Sequence, residues 1–184
     1  HAILSANYIA HSLKHKFKIL YKGKNNFVAH ECILDFRDLK SKTGLSVNDL
    51  AKRLIDYSFH APTISWPVPE TIMIEPTESE SLVELDRFCE AMLLIGEEIS
   101  EIEKNVALKN NNVISNAPHT LKELIADNWH YPYSKEKASF PYKTPTSIKF
   151  WSSVSRINNA YGDRNLICSC NVNQGETFEE KKCA

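Results

Sequence analysis

The stretch FHAPTISWPVPETIMIEPTESES, Phe59 to Ser81, decides the architecture. Residues 63–68 and 71–75 are two short runs rich in β-branched and apolar residues, separated by Pro69-Glu70, a plausible turn. Pro67 has no amide hydrogen for a ladder, so the first run reads as an edge or bulged strand. The run ends in a polar segment where Thr77/Glu80 and Ser81/Glu84 both have capping-box spacing, which predicts a helix start. Leu82, Leu85, Cys89, Met92, Ile95, Ile99 and Ile102 then recur at helical spacing and form its apolar stripe.

Working upstream, Ser46 with Asp49 marks another helix start, and Val47, Leu50, Ala51, Leu54 and Ile55 form its buried stripe. A loop containing Thr43-Gly44 precedes it. Before that, residues 27–36 (FVAHECILDF) alternate: Val28, His30, Cys32, Leu34 and Phe36 share one face, Ala29, Glu31, Ile33 and Asp35 the other. That pattern predicts a strand buried on one side and partly covered on the second. The chain opens at His1 inside a helix-like pattern (Ile3, Leu4, Ala6, Tyr8, Ile9, Leu13) with no signal-peptide layout, and the expectation is a cut from a longer protein. The order strand, helix, two strands, helix predicts a small α/β layer domain over residues 1–104, in fold-class terms α/β with an α+β character.

Beyond Lys104 the character changes. Residues 109–112 are polar and asparagine-rich and read as a linker or loop. Thr120 and Glu123 again have capping spacing, with Leu121, Leu124 and Ile125 on one face. Residues 131–146 carry three prolines and several aromatics, the composition of an extended arm packed on something else. The expected organisation is therefore a domain over 1–104, a C-terminal extension over 105–174, and a charged, disordered tail over 175–184.

The bulk numbers fit a globular domain: 184 residues, 42% hydrophobic and 24% charged, with a formal net charge of -1. Near-neutral charge supports neither a nucleic acid nor a membrane surface as partner, and no apolar run is long enough to span a bilayer. Of the five cysteines, Cys32 and Cys89 fall at apolar-face positions and read as small core hydrophobes. An odd count without a secretion signal points to a reducing compartment.

The segments VAHECILDFRDLK, AKRLIDYSFHAPTISWPVPETIMIEPTESES, ELDRFCEAM, NAPHT, PYS and YGDRNLICSC resemble, in order and spacing, the C-terminal region of the P-protein family of the glycine cleavage system. The likeness runs from near His1 to about Cys170. It implies the small domain of the aspartate-aminotransferase-like fold (fold type I) of pyridoxal-phosphate enzymes. It also implies a parent that is a glycine dehydrogenase (aminomethyl-transferring), an oxidoreductase acting on CH–NH2 with a disulfide acceptor. That parent decarboxylates glycine on pyridoxal 5'-phosphate, an electron sink, and transfers the aminomethyl group to the lipoyl arm of H-protein. The family's cofactor lysine lies in a glycine-rich upstream segment; this chain has five scattered glycines, so no catalytic residue is expected here and the chain alone is expected to be inactive. The resemblance further implies a homodimeric or heterotetrameric parent, cytoplasmic if bacterial and mitochondrial if eukaryotic, and the asparagine- and lysine-rich composition leans to an AT-rich bacterial genome. The rival reading is a freestanding, non-catalytic interaction domain of the same family. Two positions depart from the family: Ser58 and Glu70 stand where glycine is usual, and at Glu70 a turn needing positive φ would be costly for glutamate.

Candidate contacts to a substrate channel or cofactor domain are His30, Arg37, His60, Thr63 and Arg164. His30 either lines a wall or is satisfied beneath the sheet, and as a strand neighbour of Glu31 it faces the other way. His60 and Thr63 leave a helix through a proline and enter an edge strand, so they can face a cleft; the alternative is a rigid turn. Glu75, Thr77 and Glu78 end a strand and cap a helix; alternatively Glu75 and Glu78 pair with an arginine of the larger domain. Arg37 and Arg164 are forks suited to a carboxylate, or structural ion pairs. Cys168 and Cys170 are either redox thiols near an active-site mouth or inert; without a second pair or a nearby histidine they make no metal site.

Overall fold

The computed structural model describes residues 1–142 and 149–167. Its centre is a four-stranded antiparallel sheet in the order β1-β2-β4-β3, with β1 at Lys18–Leu20, β2 at Cys32–Asp35, β3 at Thr63–Ile64 and β4 at Thr71–Ile74. Helices α1 (Ala2–Leu13), α2 (Leu39–Thr43), α3 (Val47–Asp56) and α4 (Leu82–Glu103) pack against it and against each other. Short helices α5 (Leu121–Ile125), α6 (Lys135–Ser139) and α7 (Asn159–Arg164) follow.

Register explains which strand residues meet the helices. Cys32 pairs with Ile74, and Leu34 with both Ile72 and Ile19, so these five side chains share one face. All are at most 7% exposed and join one core with Ala6, Ile9 and Leu13 of α1, Leu50 and Leu54 of α3, and Met92, Ile95 and Ile102 of α4. The opposite face, with Leu20, Ile33, Met73 and Thr63 in one row, is more open. α4 is about 33 Å long at 1.5 Å per residue, enough to run the full width of the sheet.

Several expectations hold at residue level. Ser46 and Asp49 form the capping box of α3, and Thr120 and Glu123 that of α5. β3 lies at the sheet edge, as expected, but it spans only Thr63–Ile64 instead of 63–68, which leaves Pro67 in the connection beyond the strand. Cys32 and Cys89 are buried free thiols of the core, and burial pushes them up to about 12 and about 11. At α4 the cap is Ser81, whose hydroxyl accepts from the Glu84 amide; Thr77 instead takes a positive φ of 59° and stays outside the helix.

Other expectations are corrected. His30 and Glu31 precede the strand, which starts only at Cys32, because pairing with β4 begins there at Ile74. Leu82 is 60% exposed and not part of the buried stripe, since it is the first helical residue and the core begins one turn later at Leu85. Ile3 and Leu4 are likewise exposed; α1 buries Ser5, Ala6, Ile9, Ala10 and Leu13 instead. β1 has three residues and α2 five, too short to leave a periodic signature. Residues 109–112 are irregular, yet Asn112 is buried and its side chain bonds four backbone groups, holding Val113 and Ile114 in the core. Leu121, Leu124 and Ile125 leave no residue of α5 buried.

Ser58 and Glu70, the two positions where the resemblance implies glycine, both adopt the left-handed conformation: Ser58 has φ 64° and Glu70 φ 55°. Each side chain offsets part of the strain with a bond. Ser58 Oγ accepts from the Phe150 amide at 2.9 Å, and Glu70 Oε2 accepts from the Val47 amide at the first turn of α3 at 3.1 Å.

Candidate functional site

The two motif segments that flank the hairpin converge on one cleft. Tyr57 and Ser58 end α3 and turn the chain, so Phe59, His60, Ala61, Pro62 and Thr63 form one wall. The end of β4 supplies Met73, Ile74, Glu75 and Pro76, and the start of α4 supplies Glu80, Glu84, Leu85 and Phe88. Ile9 of α1 reaches the floor, and the enclosed volume is about 440 Å³.

The floor is rigid and apolar. The Phe59 and Phe88 rings meet edge to face at 5.3 Å. The Arg87 guanidinium lies 3.7 Å from the Phe59 ring centre, grips both Glu84 oxygens at 2.9 and 2.5 Å, and donates to the Tyr57 carbonyl at 3.1 Å. The fork of Arg87 is thus occupied, and it holds the Glu84 carboxyl below its usual range. Among the described residues, the titratable side chains on the lining are His60, Glu75, Glu80 and Glu84, with no lysine or arginine. Two non-glycine residues with positive φ adjoin the lining, Ser58 before Phe59 and Thr77 after Pro76, while Ser65 and Glu70, also at positive φ, lie at the other end of the β3–β4 hairpin. Such backbone persists only where neighbours over-determine it, and it gathers at sites of function.

Of the residues singled out from sequence, His60 and Thr63 line this cleft. His30 stands at its rim, 4.0 Å from the Glu75 carboxylate, and both side chains are more than half exposed. Arg37 is elsewhere: Asp35 and Arg37 lie by Thr71, at the other end of the β2–β4 ladder from Glu75. There Arg37 forms a bidentate pair with Asp35, with contacts of 2.8 and 2.7 Å, and this pair drives the Asp35 carboxyl far below its ordinary value. Arg164 is exposed at the end of α7 and has no recorded bond to the cleft among the described residues. Cys168 and Cys170 lie outside the described residues. Among the described residues no group of three or more His, Cys, Asp or Glu is arranged for a metal, and no helix is long and apolar enough to cross a membrane.

Sequence reasoning missed a second polar constellation, at the C-terminal part of α3. Arg53 is fully buried; it forks onto Glu98 at 3.0 and 2.6 Å, reaches Asp56 at 2.9 Å, and donates to the carbonyls of Lys137 and Ala138. Asp56 also accepts from the backbone amide and Nδ1 of His119, both at 2.8 Å, while His119 Nε2 meets the Tyr133 hydroxyl at 2.9 Å. The signal was present: Arg53 and Asp56 interrupt the apolar stripe of α3, and His119 and Tyr133 belong to the quoted segments NAPHT and PYS.

A pyridoxal-phosphate cofactor does not fit this donor set. Its phosphate calls for cationic side chains, whereas the ionisable side chains of the cleft among the described residues are three glutamates and a histidine.

A family model described as glycine dehydrogenase, C-terminal domain, matches residues 1–119. A curated glycine dehydrogenase (decarboxylating) from a strain of Prochlorococcus marinus is 60% identical over 169 residues, covering 92% of this chain and 18% of that protein. The glycine dehydrogenase (decarboxylating), mitochondrial, of Dictyostelium discoideum is 57% identical over 169 residues, with 92% and 17% covered. The glycine dehydrogenase (decarboxylating) of Thermosynechococcus vestitus is 57% identical over 171 residues, with 93% and 18% covered. The chain therefore spans less than a fifth of the length of these relatives.

Proposed function

The chain belongs to the glycine dehydrogenase C-terminal domain family, and from that premise we propose that it is the small domain of a pyridoxal-phosphate-dependent glycine decarboxylase of the aspartate-aminotransferase-like fold. The observation that carries the reading is the convergence of FHAPT and EPTESES on a single cleft with an apolar floor and an acidic rim. In this reading the cleft faces the larger, upstream part of the parent, which holds the cofactor and its lysine.

The division of labour follows from charge. Three glutamates disfavour the cofactor phosphate in this cleft, so its anchoring falls to upstream residues. When bound there, the cofactor supplies the electron sink for loss of carbon dioxide from glycine. The residues of this chain exclude water and set shape: Ile9, Phe59, Leu85 and Phe88 give a dry floor, and His60 and Thr63 present polar groups from a wall fixed by Arg87. Arg87 is saturated by Glu84 and the Tyr57 carbonyl, so it belongs to the wall and does not receive the substrate carboxylate. The parent passes the aminomethyl group to the lipoyl arm of H-protein and works as a homodimer or a heterotetramer.

The test is made in the full-length polypeptide. His60→Ala and Thr63→Val are expected to lower glycine-dependent exchange of carbon dioxide by about tenfold or more, the scale set by misplaced positioning groups. Arg37→Ala, at the far end of β2, is expected to leave it unchanged. Full activity in both cleft variants would remove the cleft from the catalytic side of the enzyme.

A further inference from the structure

The buried constellation at the end of α3 is more than a core filling, because of where it pulls. Asp56, Tyr57 and Ser58 are the last residues before the Phe59–Thr63 wall, and each is held by groups from elsewhere in the chain. The Asp56 side chain takes Arg53, the His119 amide and the His119 ring, and its carbonyl takes Lys149 Nζ. The Tyr57 hydroxyl meets Glu98 at 3.3 Å and its carbonyl takes Arg87. The Ser58 hydroxyl takes the Phe150 amide. Ser58 needs this support, since it holds φ 64° without being glycine.

His119 is the member whose bonds lie wholly within this network. It is 2% exposed, and both ring nitrogens are used. Asp56 is accepting from Arg53 and from the His119 amide, so a proton on Nδ1 completes its shell. Nε2 then accepts from the Tyr133 hydroxyl, and Tyr133 in turn accepts from Asn116 Nδ2 at 3.1 Å. Trp129, Tyr131 and Tyr133 pack around the ring with centroids 5.6 to 6.2 Å away. A ring fixed at both ends transmits the position of residues 116–133 to the last turn of α3.

We infer that His119 is a positioning residue for the cleft, holding the Phe59–Thr63 wall in place through Asp56. The wall's part in catalysis rests on the function proposed above; the positioning itself does not.

Amide hydrogen exchange in the full-length polypeptide tests this, read at Ser58 and Phe59, whose amides bond the carbonyls of Ile55 and Leu54. In His119→Ala these amides are expected to exchange about tenfold faster, while those of α4 from Leu85 to Ile102 keep their protection. His119→Asn keeps a donor toward Asp56 and is expected to restore most of the protection, and it serves also if the alanine variant fails to fold. Unchanged exchange at Ser58 and Phe59, or equal loss throughout α3 and α4 in both variants, would overturn the inference. In turnover assays, His119→Ala is expected to lower kcat with a smaller change in KM for glycine, and His119→Asn to recover it. If exchange follows expectation while the His60 and Thr63 variants stay fully active, it is the function of the cleft that fails and the positioning stands.

Discussion

Glu70 holds a left-handed backbone conformation that costs an L-residue about 1–2 kcal/mol, and its carboxylate returns part of this by accepting from the Val47 amide. Substitutions separate the two effects. Glu70→Ala keeps the strain and loses the bond, so it is expected to destabilise the fold by about 1 kcal/mol in a denaturant titration. Glu70→Gly loses the bond but also the strain, and its midpoint is expected close to the native one. If glycine were as damaging as alanine, the strain argument would be wrong. The two core thiols make another residue-scale case. With Cys32 pushed up to about 12 and Cys89 to about 11 by burial, neither forms thiolate at pH 8. Alkylation at pH 8 followed by peptide mass mapping is expected to leave both unmodified in the native protein and to label both in denaturant.

At the scale of elements, α4 starts at Ser81 rather than at Thr77, although both have a glutamate three residues on. Ser81→Ala is therefore expected to lower stability by about 1 kcal/mol, and Thr77→Ala by much less, as read from thermal unfolding. Spacing alone could not choose between them; the choice is made by Pro76 and the positive φ of Thr77, which keep the chain turning until Ser81. The same distinction governs what could be read beforehand. α3, α4 and β4 are long or punctuated enough to show in the pattern, and so are the candidates His60 and Thr63, whereas β3 shows only in its position and not in its length. β1 is three residues whose strand character comes only from pairing with β2. Arg53 and Asp56 are neighbours on α3 and show as breaks in its stripe, but the link to His119 is hidden because that residue lies 63 positions from Asp56 and meets it only across packed elements.

At the scale of the whole molecule, residues beyond α4 are tied to the domain by ions as well as by packing. Arg156 donates to Asp49 at 2.5 Å and to the Ile114 carbonyl at 3.0 Å, and Lys149 sits between Phe140, Trp151 and the Asp56 carbonyl. Burial lowers the Lys149 ammonium to about 8 from an unfolded value of 10.5. The unfolded chain thus binds more protons between those two values, so this lysine's contribution to stability rises as pH goes from about 8 toward 10.5. Tyr133, pushed up from 10.0, acts with the opposite sign above pH 10, and the buried thiols do so above pH 9. The comparison must therefore be with Lys149→Met. Between pH 7.5 and about 9.5 the native chain is expected to gain stability relative to that variant, and parallel profiles would mean that the amine is not desolvated.

In the proposed function this domain shapes a reaction whose reactive lysine lies in another part of the parent. Exchange of labelled carbon dioxide into glycine, measured with pyridoxal phosphate and H-protein present, tests that claim most directly. The full-length polypeptide is expected to catalyse the exchange, and the 184-residue chain alone to give none above background. Sustained exchange by the isolated chain would contradict it.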